Sequence, residues 1–85
     1  MYRIVFTRQS TRALRKMSRQ TARLIRDKLD QLAQDPYTHN PNLTKLQGRP
    51  GYRLRVGDWR VIYELEDERL VILVLKVGPR GEVYR

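Results

Sequence analysis

The sequence predicts a small α+β domain, a twisted, mostly antiparallel sheet with an N-terminal helical hairpin packed on one face, in the order βααβββ(β). Three observations predict it. Apolar residues recur at helical spacing over 19–34, alternate with polar ones over 2–6 and 52–63, and run unbroken from Leu70 to Leu75. The 85 residues are read as one domain, 1–85, which buries about 60% of the surface its unfolded chain exposes.

Tyr2-Arg3-Ile4-Val5-Phe6 is the expected first strand, with Ile4 and Phe6 toward a core and no further role for Tyr2. Thr7 or Ser10 caps a short helix that turns Ala13, Leu14 and Met17 inward, and Ser18 caps a second one. That second helix carries Ala22, Ile25, Leu29, Leu32 and Ala33 on one side and stops at Asp35-Pro36, since a residue before proline disfavours helical backbone. Residues 36–50, punctuated by Pro36, Pro41, Gly48 and Pro50, are expected to be irregular.

The most informative segment follows. Along Tyr52-Arg53-Leu54-Arg55-Val56 side chains alternate between faces, so Tyr52, Leu54 and Val56 share one side and Arg53 and Arg55 the other. After a Gly57-Asp58 turn, Trp59, Val61 and Tyr63 alternate with Arg60. One side of this hairpin can pack on a core. The other gathers three guanidinium groups whose repulsion an anion relieves. Tyr63 belongs to the core, as do Tyr52 and Trp59 in part, and Trp59 at an edge is also a candidate to stack on a base. Glu66-Asp67-Glu68-Arg69 is a charged turn that keeps the sheet edge soluble. Leu70–Val77 is apolar on both faces, as in a central strand. Gly78-Pro79-Arg80-Gly81 turns the chain into a short terminal strand or tail, 82–85.

Charge sets the class of partner. Eighteen Lys and Arg face nine Asp and Glu, a net +9, and only Lys16, Lys28, Lys45 and Lys76 of the cations are lysine. Arginine presents a planar fork that grips phosphate at two points and stacks on bases, so the composition points to nucleic acid. Arg8, Arg12, Arg15, Arg19, Arg23 and Arg26 recur three or four apart and form a second basic stripe. It is either a solvated face or a second contact area for nucleic acid.

Several chemistries are excluded. There is no cysteine and one histidine, His39, so neither a thiolate or transition-metal site nor a two-histidine ribonuclease mechanism is available. The five glycines fit no phosphate-cradling spacing, and no nucleophile elbow is present. Six apolar residues cannot span a bilayer, which needs about 20. The N-terminus lacks the features of a signal peptide, and the expectation is a cytoplasmic protein with no membrane and no cofactor.

What remains is Arg53, Arg55, Arg60 and Arg80, with Tyr84 close in sequence to the last. Cutting RNA with its own 2′-OH requires removing a proton, stabilising a dianionic phosphorane and protonating the leaving 5′-oxygen. Guanidinium groups meet the second need, usually the largest. Tyrosine is a base only when ionised, and neighbouring cations favour that form. Arginine is a poor proton donor but a good clamp, so Arg80 is no more than the best candidate for the general acid.

The chain resembles the RelE-type toxins of bacterial toxin–antitoxin modules, in the RelE/ParE superfamily. The resemblance runs through Tyr2-Arg3-Ile4-Val5-Phe6-Thr7, Lys45-Leu46-Gln47-Gly48, the stretch Tyr52 to Tyr63, and Val77-Gly78-Pro79-Arg80-Gly81-Glu82-Val83-Tyr84. It implies a type II toxin that cleaves mRNA in the ribosomal A site by 2′-OH attack without metal, leaving a cyclic phosphate and a 5′-hydroxyl. It places the strand's basic pair on Arg53 and Arg55, the phosphate clamp on Arg60, leaving-group assistance on Arg80, and stacking or base duty on Tyr84. RNA or ribosome contacts are expected at the helical arginines, Lys45 and Trp59. The implied partners are a cognate acidic, amphipathic antitoxin, the ribosome and mRNA, with operator DNA met only through the antitoxin complex. The chain departs from the pattern where lysine is common at Arg53 and Arg55, and where many relatives carry a basic residue at Pro79. Two other readings compete: a ParE-like toxin that inhibits DNA gyrase by binding, and a non-catalytic nucleic-acid-binding domain. The Arg53/Arg55 pair and Tyr84 favour the nuclease.

Overall fold

A computed structural model describes residues 1–81. Its elements are β1 (Arg3–Phe6), α1 (Arg8–Lys16), α2 (Arg19–Gln34), β2 (Leu43–Lys45), β3 (Tyr52–Val56), β4 (Trp59–Glu66), a 3-10 turn (Asp67–Arg69) and β5 (Val71–Pro79). The predicted α+β class and helical hairpin are present.

The helices start where the capping chemistry indicates. Thr7 Oγ1 accepts from the Ser10 N–H at 3.3 Å, and Ser18 Oγ accepts from the Thr21 N–H at 3.1 Å. Thr7 is the cap, and Ser10 has another task. Fully buried, its hydroxyl is within hydrogen-bonding distance of the Thr7 and Val74 carbonyls at 2.9 and 3.1 Å. At the far end of α2 the Asp35 N–H closes on the Leu32 carbonyl and Pro36 follows. Leu14, Ile25, Leu29, Leu32 and Ala33 pack on Leu54, Val56, Val61, Tyr63, Ile72, Val74 and Val77, forming one core between the helices and one sheet face.

The sheet order is β1-β5-β4-β3-β2. β1 runs parallel to β5, with Arg3 opposite Val71 and Phe6 opposite Val74, and every other pairing is antiparallel. β5 is therefore an interior strand between β1 and β4, next to the middle one, and Val71, Ile72, Val74 and Val77 along it are all buried. Past Val74 there is no β1 residue to satisfy its outer edge, and the start of α1 does so instead. The Thr7 N–H and hydroxyl donate to the Val74 and Leu75 carbonyls, and the Gln9 amide both accepts from and donates to the main chain of Val77.

Three expectations need correction. Residues 36–50 are not wholly irregular: Leu43–Lys45 forms β2 because it lies along β3, Leu43 opposite Leu54 and Lys45 opposite Tyr52. Gly78-Pro79 is strand rather than turn. Pro79 is tolerated because it ends β5 opposite Trp59, where no further ladder bond is required of it. Leu70 lies outside the strand, exposed, in left-handed backbone at φ 52 after the 3-10 turn. The expected terminal strand or tail, 82–85, lies outside the described residues.

Tyr2 also gains a role. Its hydroxyl donates to Asp67 Oδ1 at 2.8 Å, and the Tyr37 hydroxyl donates to Oδ2 of the same carboxylate. Asp67 thus ties the N-terminus and the segment after α2 to the β4–β5 connection. Hydrogen bonding to Asp67 pushes Tyr37 up to about 12 and raises Tyr2, while the two hydroxyls hold Asp67 below its ordinary value.

Candidate functional site

The register of β3 against β4 decides where the arginines go. Arg55 lies directly opposite Arg60 and Arg53 opposite Ile62, while Leu54 and Val56 take the core side. The hairpin closes on Gly57 at φ 58, a left-handed conformation that glycine adopts without steric cost. Arg80 joins from the end of β5, because its N–H donates to the Asp58 carbonyl at 2.8 Å and draws the chain beside the hairpin turn. Arg53, Arg55, Arg60 and Arg80 consequently line one cleft of about 410 Å³ together with Asn42 and Thr44.

Two like charges directly opposite each other destabilise a sheet. Here oxygens without formal charge hold them. Arg60 Nη1 donates to the Gly57 and Trp59 carbonyls, both at 2.9 Å. Arg55 donates to Asn42 Oδ1 from Nε at 3.3 Å and from Nη2 at 2.9 Å. These partners orient each guanidinium and leave its positive charge intact. A phosphodiester entering the cleft meets preset N–H donors, which is how a developing dianion is stabilised.

A second cleft of about 710 Å³ lies between α1 and the ends of β4 and β5. Arg8, Arg12 and Lys16, four apart, sit on its α1 side, and Trp59, Val77 and Pro79 contribute from the strands. Trp59 and Arg60 are consecutive in one strand, so they serve different clefts. The arginines of the helical stripe, all exposed, have different surroundings. Arg8 and Arg12 line this cleft, Arg15, Arg19 and Arg23 are exposed, and Arg26 lies over the Phe6 ring at 5.9 Å. The break at Met17-Ser18 separates the two helices and divides the stripe. Lys45 is exposed on β2, whereas its neighbour Thr44 lines the arginine cleft. Tyr84 lies outside the described residues. The sequence reading missed Asn42, whose only signal was its place in a proline-punctuated loop.

Residues 4–84 match the family described as the ParE toxin of the type II toxin–antitoxin system, parDE. The chain belongs to that family, within the RelE/ParE superfamily. Inside the superfamily, RelE-type toxins are among the proteins it is similar to. It is 28% identical to the mRNA interferase toxin RelE of Escherichia coli (strain K12), over 98% of this chain and 90% of that one. The fold matches that of the archaeal RelE–RelB complex from Pyrococcus horikoshii OT3, at a TM-score of 0.81 and 33% identity over 95% of this chain and 97% of that chain. The isolated E. coli RelE toxin superposes at 0.80 with 28% identity, over 99% and 92%. A RelE-type toxin is thus built on the predicted α+β scaffold. None of its described helices is long and apolar enough to cross a membrane.

Proposed function

We propose that this RelE-type toxin cleaves mRNA in the ribosomal A site, by attack of a ribose 2′-OH on the adjacent phosphorus. The O2′–P bond forms and the P–O5′ bond breaks. A proton leaves the 2′-OH and another reaches the 5′-oxygen, giving a 2′,3′-cyclic phosphate and a 5′-hydroxyl. The observation that carries this reading is the convergence of Arg53, Arg55, Arg60 and Arg80 on one cleft. The names of the RelE relatives support it. Arg55 and Arg60 clamp the phosphorane with the N–H groups that Asn42 and the hairpin carbonyls leave open. Arg53 adds positive charge, Arg80 assists the leaving oxygen, and Tyr84 stacks on a base or takes the 2′ proton. Four guanidinium groups supply the charge for which other nucleases recruit a metal. The exposed helical arginines and Lys45 face ribosomal RNA, and a net +9 draws in the acidic, amphipathic antitoxin of a type II module. The setting is the cytoplasm.

Induced expression tests it. Translation should halt, and primer extension should reveal cuts inside translated codons. The ParE name of the matching family favours one rival, inhibition of DNA gyrase by binding. Arrest of DNA synthesis while messages stay whole would select that rival.

A further inference from the structure

Arg55 and Arg60 face each other across the β3–β4 ladder but are restrained by different means. Arg60 is held by two main-chain carbonyls. Arg55 is held by one side chain, Asn42, whose Oδ1 accepts from Nε at 3.3 Å and Nη2 at 2.9 Å. Asn42 is itself anchored twice. Its N–H donates to Asn40 Oδ1 at 2.9 Å, and its carbonyl accepts the main-chain N–H of Arg55 at 2.8 Å. The amide is thus fastened to the residue whose guanidinium it orients.

A guanidinium carries five N–H groups. Asn42 engages one on Nε and one on Nη2, which is the side-on edge. Among the described residues none engages the two N–H groups on Nη1 or the second on Nη2, so the end-on fork is available for a two-point grip on phosphate. Both residues line the same cleft. A neutral acceptor orients the fork without cancelling its charge, which a carboxylate at this position would do. Rotamer freedom that Arg55 would otherwise lose on binding is already lost in the folded protein.

We propose that Asn42 is a positioning residue: it presets the end-on fork of Arg55 for a nucleic-acid phosphate and contributes through Arg55 alone. The inference rests on the ribonuclease reading only for the identity of the polyanion.

A double-mutant cycle on the purified full chain tests it, with an uncleavable 2′-O-methyl RNA oligonucleotide as probe. Asn42→Ala should weaken binding about 3–10-fold in the wild-type background and less than about twofold in Arg55→Ala, since coupled residues are non-additive. Asn42→Asp should keep the geometry and cancel the charge. It should weaken binding at least as much as Asn42→Ala and lower the salt slope by about 0.7, one phosphate contact on a single strand. Asn42→Ala should leave that slope unchanged. Equal losses in both backgrounds, no loss in either, or wild-type binding by Asn42→Asp would overturn the proposal. So would absence of oligonucleotide binding by the wild type. If Asn42→Ala does not fold, Asn42→Ser, which also adds no charge to the cleft, decides in the same two backgrounds by the same criterion of coupling. Coupling with no cleavage of message sinks the ribonuclease reading and leaves this one standing. Cleavage without coupling does the reverse.

Discussion

Arg60→Ala removes one side chain and separates catalysis from folding. Arg60 Nη1 donates to two carbonyls at 2.9 Å, and among the described residues none engages Nε or Nη2, which on the proposed mechanism form the fork for phosphate. Losing one preset donor to a developing oxyanion costs about 2.7–4 kcal/mol, a factor of roughly 10²–10³ in rate. The effect on folding should be smaller. Arg60 is half-buried, so water can reach the two carbonyls, and its removal also relieves repulsion from Arg55 directly opposite. A net loss of about 1 kcal/mol corresponds to roughly 4–8 °C in a domain of this size. Single-turnover cleavage on message-programmed ribosomes, with melting curves on the same preparations, reads both quantities. Arg60→Lys retains the charge but loses the planar fork, and should fall between wild type and alanine. Cleavage by Arg60→Ala within about threefold of wild type would refute this account of the clamp.

Other perturbations probe the scaffold. The Tyr63 hydroxyl is buried with no hydrogen-bond partner among the described residues, while its ring stacks on Tyr52 at 5.5 Å between centroids. Tyr63→Phe should therefore raise stability by about 1 kcal/mol or more in thermal melts, since an unpaired buried hydroxyl costs about 1–3 kcal/mol. Gly51 holds φ +112, and a Cβ there would come 2.8 Å from the Tyr63 carbonyl oxygen, so Gly51→Ala should destabilise by about 1–3 kcal/mol. Tyr37→Phe removes the main cause of the lowered pKa at Asp67. A depressed carboxyl pKa adds stability above the ordinary value of 3.8, and that stability is lost as pH falls through the folded value. The acid-unfolding midpoint of Tyr37→Phe should thus move to higher pH. In the wild type, stability linked to Tyr37 should fade as pH rises from 10 through about 12.

The parts of the fold legible in the sequence are those governed by local periodicity. Alternation along Tyr52–Val56 and Trp59–Val61 indicates which face the arginines take, and Ser18 and Asp35-Pro36 bracket α2. β2 escaped because three residues between Pro41 and Gly48 show no period, and only contact with β3 makes them a strand. The parallel pairing of β1 with β5 joins segments nearly seventy positions apart, a relation no window of sequence contains. The clasp of Gln9 on Val77 and the double tie of Tyr2 and Tyr37 to Asp67 share that long-range origin. At the cleft, the cations were visible as a charge pattern. The neutral oxygens that orient them were not, since asparagine and main-chain carbonyls carry no signature of their own.

The central claim is that cations gathered beside the hairpin turn break RNA rather than merely hold it. The most direct measurement is the chemistry of the RNA ends left when purified protein meets ribosomes carrying a defined message. The account predicts 2′,3′-cyclic phosphate and 5′-hydroxyl termini at A-site codons, produced by the wild type and strongly reduced with Arg80→Ala. Unbroken message, with gyrase supercoiling inhibited by the same preparation, would contradict it.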